Sequence, residues 1–274
     1  MSDLPGFLDF TRPGSGVDLD DNRYHPFIRF WRRYGRHFMQ LMGVNALYAL
    51  ITLPVFVWLM SLINAAAMDM GVGAISVMGT VMLSLVVNWP TPILVGLLLV
   101  SVLLMGPATA ALSYAALDCA WDRPGMFWAG FWAAWKENWK QALPFGIVDA
   151  LVCFVTLCYL VDATAVFGEL GSALKAVWCV LLLLYCMIRV HLYPIMVTVE
   201  LPLGALVRNS LILSILKPWR PLVVILIAAV LCLLCVVADL VIVPLFLYSF
   251  VAFSAAFFVQ PVMEQYLIHP EQKQ

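Results

Sequence analysis

Five ionisable residues, Asp149, Arg189, His191, Glu200 and Asp239, interrupt stretches that are otherwise almost wholly apolar. A charge in such surroundings needs a partner or water, because placing one at the centre of a membrane helix costs about 2.5 to 3.5 kcal/mol on insertion scales. Asp149 follows Lys140 by nine residues, and Arg189 precedes Glu200 by eleven. On helices these offsets put the two groups about 13 and 16 Å from the flanking polar ends. At such similar depths they can meet as a buried pair that sets helix packing, or they can line a polar cavity. His191, two residues from Arg189, points to a nearly opposite helical face and belongs to a separate contact. Glu200 and Asp239 lie near the ends of apolar runs and reach water.

Other kinds of chemistry lack the residues they need. The four histidines, His25, His37, His191 and His269, are scattered, and neither HExxH nor GxSxG occurs. No phosphate-binding P-loop is present, so any ATP dependence must come from a partner. Cys232 and Cys235 form a CxxC, but it lies in an uninterrupted apolar run without neighbouring ligands. These and the other cysteines, Cys119, Cys153, Cys158, Cys179 and Cys186, read as small apolar residues. The expectation is a protein that is not an enzyme, with no cofactor and no metal.

The elements that must position Asp149 and Arg189 follow from composition. The chain of 274 residues is 64% hydrophobic and 11% charged, far from the roughly even balance of a soluble domain. A compact soluble fold must cover its exterior with polar groups, and this chain has too few, so lipid is its outer solvent. A net charge of −1 gives no case for nucleic acid. Long apolar runs without period-two alternation indicate helices rather than a barrel. The class is an all-α polytopic membrane protein with six spans, at 37–62, 93–117, 141–161, 175–199, 221–240 and 245–265. Met1 to Arg36 has no apolar core of the signal-peptide kind, so the first span is read as the insertion signal.

Gly71 to Trp89 is uncharged and apolar enough to be a seventh span, but the basic residues argue against it. With six spans and both termini cytoplasmic, thirteen of the fifteen Lys and Arg lie inside and only Lys175 lies outside, whereas a seventh span would divide them seven to seven. Residues 63–92 are therefore read as an exoplasmic segment, with 71–89 an interfacial helix, a hairpin or a re-entrant piece.

Residues 1–36 form a cytoplasmic tail and a basic, aromatic interfacial segment, and 266–274 form a second cytoplasmic tail. In the connector 118–140, Trp128, Trp132, Trp135 and Trp139 recur at spacings of four, three and four. They fall on one helical arc, with Lys136, Glu137, Asn138 and Lys140 on the other faces. This predicts an amphipathic cytoplasmic helix between spans two and three, either floating in the interface or docking a partner. The connector 200–220 is too apolar all round for a surface helix and is expected to be partly buried. Gly106 and Pro107 interrupt span two, where a kink is expected. Gly106, Ala110, Ala111 and Ala115 allow a second helix to approach closely.

Several of these stretches together resemble the YesL-like family of bacterial membrane proteins, a family of unknown function. They are the tail motif around Arg12-Pro13-Gly14-Ser15-Gly16, the run Gly106-Pro107-Ala108-Thr109, the Trp135-Lys136-Glu137-Asn138-Trp139-Lys140 stretch, and Tyr193-Pro194. The chain departs from the family in the long insertion 63–92 and in Glu200-Leu201-Pro202-Leu203. The resemblance implies a multi-pass protein of the bacterial plasma membrane. Genes of similar proteins often neighbour carbohydrate ABC importers, which suggests an accessory or assembly subunit touching permease subunits as well as the lipid bilayer. The competing expectation is a stand-alone small-solute transporter or channel with a polar path near Asp149, Arg189 and His191.

Overall fold

A computed structural model describes residues 24–69, 77–88, 90–122, 127–167, 169–237 and 244–268. The tail motif with Pro13, Gly14 and Gly16, and Asp239, lie outside the described residues. The described residues are helical nearly throughout and contain no strand. In order they form α1 (Pro26–Arg36), α2 (Phe38–Asp69), α3 (Val77–Asn88), α4 (Thr91–Ala120), α5 (Phe127–Phe167), α6 (Glu169–Met196), α7 (Leu203–Leu216), α8 (Trp219–Val237) and α9 (Pro244–Met263), the last running on into a π-helical turn at Glu264–Ile268.

Five described helices, α2, α4, α5, α6 and α9, are long and apolar enough to cross a membrane. A sixth crossing is reached when α7 and α8, bent by 94° at the Lys217–Pro218 break, are taken together. This is the all-α polytopic architecture expected from composition. The 12-residue α3, inside the segment 63–92, rises only about 18 Å against a hydrocarbon core of about 30 Å. It packs on α2, where Asn64 Nδ2 donates to Thr80 Oγ1 at 3.2 Å.

One boundary differs from that read in the sequence. The Trp-rich connector and the third apolar run are a single 41-residue helix, α5, continuing through Pro144. Pro144 is carried inside the helix without ending it, and the same helix that carries the Trp arc also buries Phe131 and Ala134 against its neighbours. In the connector 200–220, α7 buries Leu206, Ser210, Leu213 and Ser214 and leaves Leu203, Val207, Ile212 and Ile215 exposed.

The C-terminal half of α4 is the axis of the packing. Its alanines enter all three buried clusters: Ala110 with Tyr193, Ile195, Leu206 and Val259; Ala116 and Ala120 with Phe30, Leu41, Phe253 and Phe257; Ala108, Ala111 and Ala115 with Val44, Tyr48 and Phe131. Small side chains at these positions let four neighbouring helices approach closely, where dispersion between many atoms is gained. Toward its N-terminus the same helix is different, exposing Ile93, Val95, Leu97, Leu99, Val100, Leu103 and Leu104. The fold thus has a densely packed half and a splayed half with an apolar exterior. On α5 the exposed residues change in the same way, from Trp132, Lys136, Glu137, Trp139 and Lys140 to Ile147, Val148, Leu151 and Phe154.

The basic, aromatic segment becomes α1, whose first turn is capped by the His25 side chain and begins with Pro26. Its aromatics divide between two tasks. Phe30 and Tyr34 are buried against Phe250, Phe253 and Phe257 of α9, while Phe27, Ile28 and Trp31 stay exposed. Burial pushes the Tyr34 phenol above its ordinary pKa, so it stays neutral there. The basic residues close the end of α4: Arg33 donates to the Ala120 carbonyl, and Arg36 pairs with Asp122. Asp122 has a left-handed backbone, φ 55°, and its carboxylate also contacts His37 Nε2 at 2.7 Å.

Candidate functional site

The site begins with two glycines. Where α4 crosses α5, a Cβ on Gly106 would overlap the Ala142 carbonyl, and one on Gly146 would overlap the backbone of Gly106. Only hydrogen fits at both positions. The crossing holds α5 rigidly at Gly146, and three residues further along it presents Asp149, whose side chain is 7% exposed.

The partners of Asp149 come from one stripe of α6. Tyr185, Arg189 and Tyr193 stand at i, i+4 and i+8 and so share a helical face. Tyr185 donates its hydroxyl to Oδ1, Arg189 Nε donates to Oδ1 at 2.8 Å, and the Tyr193 hydroxyl donates to Oδ2 at 2.8 Å. The guanidinium carbon lies 5.5 Å from the centre of the Tyr193 ring. A buried carboxylate held by a cation and two phenols has its charge spread over several donors, which is what makes such burial tolerable.

The network continues into α2 and α4. Thr109 donates to the Met105 carbonyl at 2.7 Å, so the 3.0 Å contact between Tyr48 and Thr109 uses the Tyr48 proton. Tyr48 also lies beside the Arg189 guanidinium. Thr109, read in the sequence only as part of a motif, therefore orients a phenol within a group drawn from four helices. Tyr193 acts through its hydroxyl on Asp149, and Pro194 is buried beside it.

His191 is not part of this group. It is fully buried on the far side of α6, with Nδ1 3.2 Å from both the Met187 carbonyl and Ser214 Oγ of α7. Its Nε2 is buried and has no hydrogen-bond partner among the described residues. Glu200 is exposed beyond the end of α6. The structure thus joins Asp149 to Arg189 and keeps His191 and Glu200 apart from them.

On the Trp arc, Trp128, Trp132 and Trp139 are about half exposed, and Lys136 and Lys140 are exposed. Trp135 packs partly against the Phe131 cluster. Phe131, fully buried, is the anchor that the tryptophan spacing concealed. Sequence reading also passed over Tyr185 and Tyr48. For Tyr185 a signal existed: polar or aromatic groups at 185, 189 and 193 repeat every fourth residue in an otherwise aliphatic helix. Tyr48 had no comparable signal, because its partners are distant in sequence.

Among the described residues, no cluster of three or more His, Cys, Asp or Glu could hold a metal ion. Cys119, Cys153, Cys179, Cys186 and Cys232 are free thiols.

No curated protein and no solved structure matches the chain. Residues 70–160 match a family described as "Protein of unknown function, DUF624". The matched segment contains the Gly106–Gly146 crossing, the Trp arc and Asp149, while Arg189 and Tyr193 lie beyond it. Over that segment, about a third of its length, this helical membrane-type chain is similar to a family of unknown function.

Proposed function

We propose that the protein is a membrane-embedded accessory or assembly subunit acting with a carbohydrate ABC import system. The observation that supports this most is the closure of the Asp149 site. The carboxylate is taken up by Tyr185, Arg189 and Tyr193 of the same chain, an arrangement suited to holding helices in place. The periphery suits partner contact as well: the apolar window of α6 carries no buried residue, and its Val177, Val180, Leu181, Leu183 and Leu184 face outward. The sugar-import setting comes from the resemblance to the YesL-like family.

Gentle extraction from the native host, followed by affinity purification and identification of retained subunits, tests the reading. The expected result is enrichment of sugar-importer permease subunits in near-stoichiometric amount. Their absence from a preparation that keeps other membrane complexes intact counts against it.

The second reading, a solute transporter, is favoured by one observation: 39% of the Arg189 side chain is exposed beside a buried Asp149. It requires uptake or ligand binding by the isolated protein and loss of that activity in Arg189→Leu without loss of folding. Unchanged uptake in that variant removes it.

A further inference from the structure

We infer that the outer edge of the Arg189 guanidinium is a binding site for a phosphate oxyanion, supplied by the headgroup of an anionic phospholipid.

The first ground is position. On α5, charged exposed residues end at Lys140 and an exposed apolar surface begins at Ile147. Those seven residues rise about 10 Å, somewhat more than the headgroup layer of about 5 to 8 Å on one side of a bilayer. Asp149 lies just inside this change of surface. On α6 the exposed aliphatic run ends at Leu184, five residues before Arg189, and residues 191–196 are buried. Paired with Asp149 just inside the change of surface on α5, Arg189 lies near the rim of the apolar band, and its long side chain can reach toward the phosphate layer.

The second ground is the way Arg189 is used. Its bond to Asp149 is made through Nε. Asp149 uses neither terminal nitrogen; Tyr48 lies beside them, and their outward edge belongs to a group whose planar fork matches phosphate in bidentate geometry. The side chain is 39% exposed against 7% for its partner, so the pair is closed on the carboxylate side and open on the cation side. Tyr185 and Tyr193 share the charge of Asp149, and the carboxylate does not need the whole guanidinium. Tyr193 beneath the cation and Tyr48 beside it limit its rotation. A preoriented donor loses less freedom on binding than a free surface arginine.

The test uses the full chain, purified and delipidated in neutral detergent. Its unfolding midpoint is followed while dioleoylphosphatidylglycerol or inorganic phosphate is titrated in. The lipid is expected to raise the midpoint. The double variant Asp149→Asn/Arg189→Gln removes both charges together and leaves no lone buried ion. It is expected to need about tenfold more lipid for the same shift, as loss of a charge-assisted hydrogen bond implies. Identical lipid titrations for the two proteins overturn the inference. An Arg189-dependent shift with inorganic phosphate and none with lipid overturns the lipid source and assigns the oxyanion site to a soluble phosphate. If the double variant does not fold, Arg189→Lys decides. It keeps the charge and loses the fork, so weaker lipid binding supports the site and unchanged binding refutes it.

Discussion

Gly106 and Gly146 meet backbone to backbone where α4 crosses α5, with no room for a Cβ on either. Through this contact the position of Asp149, one turn further along α5, is tied to the densely packed half of α4. Gly106, one of the small residues whose spacing in the sequence allows a second helix to approach closely, is in the fold a point of backbone-to-backbone helix contact. α4 continues through Pro107 as one helix from Thr91 to Ala120.

The crossing makes a direct prediction. Gly106→Ala places a methyl group against the Ala142 carbonyl, which belongs to backbone and cannot rotate away. A loss of about 1 to 3 kcal/mol is expected from overpacking of this kind. Gly96→Ala, in the same helix but facing open space, should be neutral or slightly stabilising, since alanine favours helix over glycine. Thermal unfolding of the two variants in one detergent compares them, and equal midpoints would show that the crossing is not tight.

Asp149 and Arg189 should behave as one unit. Removing either partner leaves a charge in surroundings of low polarity, whereas removing both does not. In a cycle of Asp149→Asn, Arg189→Leu and the double variant, a coupling of about 1 to 3 kcal/mol is expected. Partial exposure of Arg189 favours the lower part of that range. Strict additivity in denaturant unfolding would mean that the pair contributes nothing jointly.

The two phenols should not be equivalent. Oδ1 of Asp149 receives both Tyr185 and Arg189, while Oδ2 receives Tyr193. Tyr193→Phe therefore leaves one carboxylate oxygen without its protein donor and should cost about 1.5 to 3 kcal/mol. Tyr185→Phe, with Arg189 still on Oδ1, should cost less. The reverse order of unfolding midpoints would contradict this division of donors.

At the other end of α4, Asp122 combines a left-handed backbone with contacts to Arg36 and His37. Asp122→Ala loses the contacts and keeps the strained conformation, which costs a residue with a Cβ about 1 to 2 kcal/mol. Asp122→Gly loses the same contacts and relieves the strain. The glycine variant should therefore be the more stable of the two, and limited proteolysis should find α1 better protected in it. An alanine variant as stable as the glycine variant would show that the backbone there carries no strain.

With six crossings and the N-terminus cytoplasmic, the Lys and Arg residues would gather on one side, and this predicts an orientation. In a cysteine-free background, a thiol replacing Lys136 should react with an impermeant maleimide only after the cells are opened, and one replacing Lys175 should react in intact cells. Labelling of Lys136→Cys in intact cells would invert the topology.

Much of this architecture could be read without coordinates, because the forces concerned are set by composition and period. Apolar runs of about 20 residues with so few charges leave helices in lipid as the workable solution, and the five or six membrane-length helices follow from that. The ionisable residues within those runs could be named for the same reason, since each is conspicuous against aliphatic neighbours. Depth counting brought Asp149 and Arg189 to similar levels, because rise per residue is constant along a helix.

What only the tertiary structure decided depends on which helices are neighbours and on which faces they turn to each other, quantities that a one-dimensional period does not contain. Tyr48 and Thr109 join the Asp149 group from α2 and α4. Phe131, not the tryptophans, anchors the first turns of α5. α1 gives half of its aromatics to the core and uses Arg33 and Arg36 to close the end of α4. Hydropathy can show that a residue must be buried or paired. The partner it finds is set by helix crossing geometry, and here that geometry turns on Gly106 meeting Gly146, a match that the small-residue pattern around Gly106 does not specify.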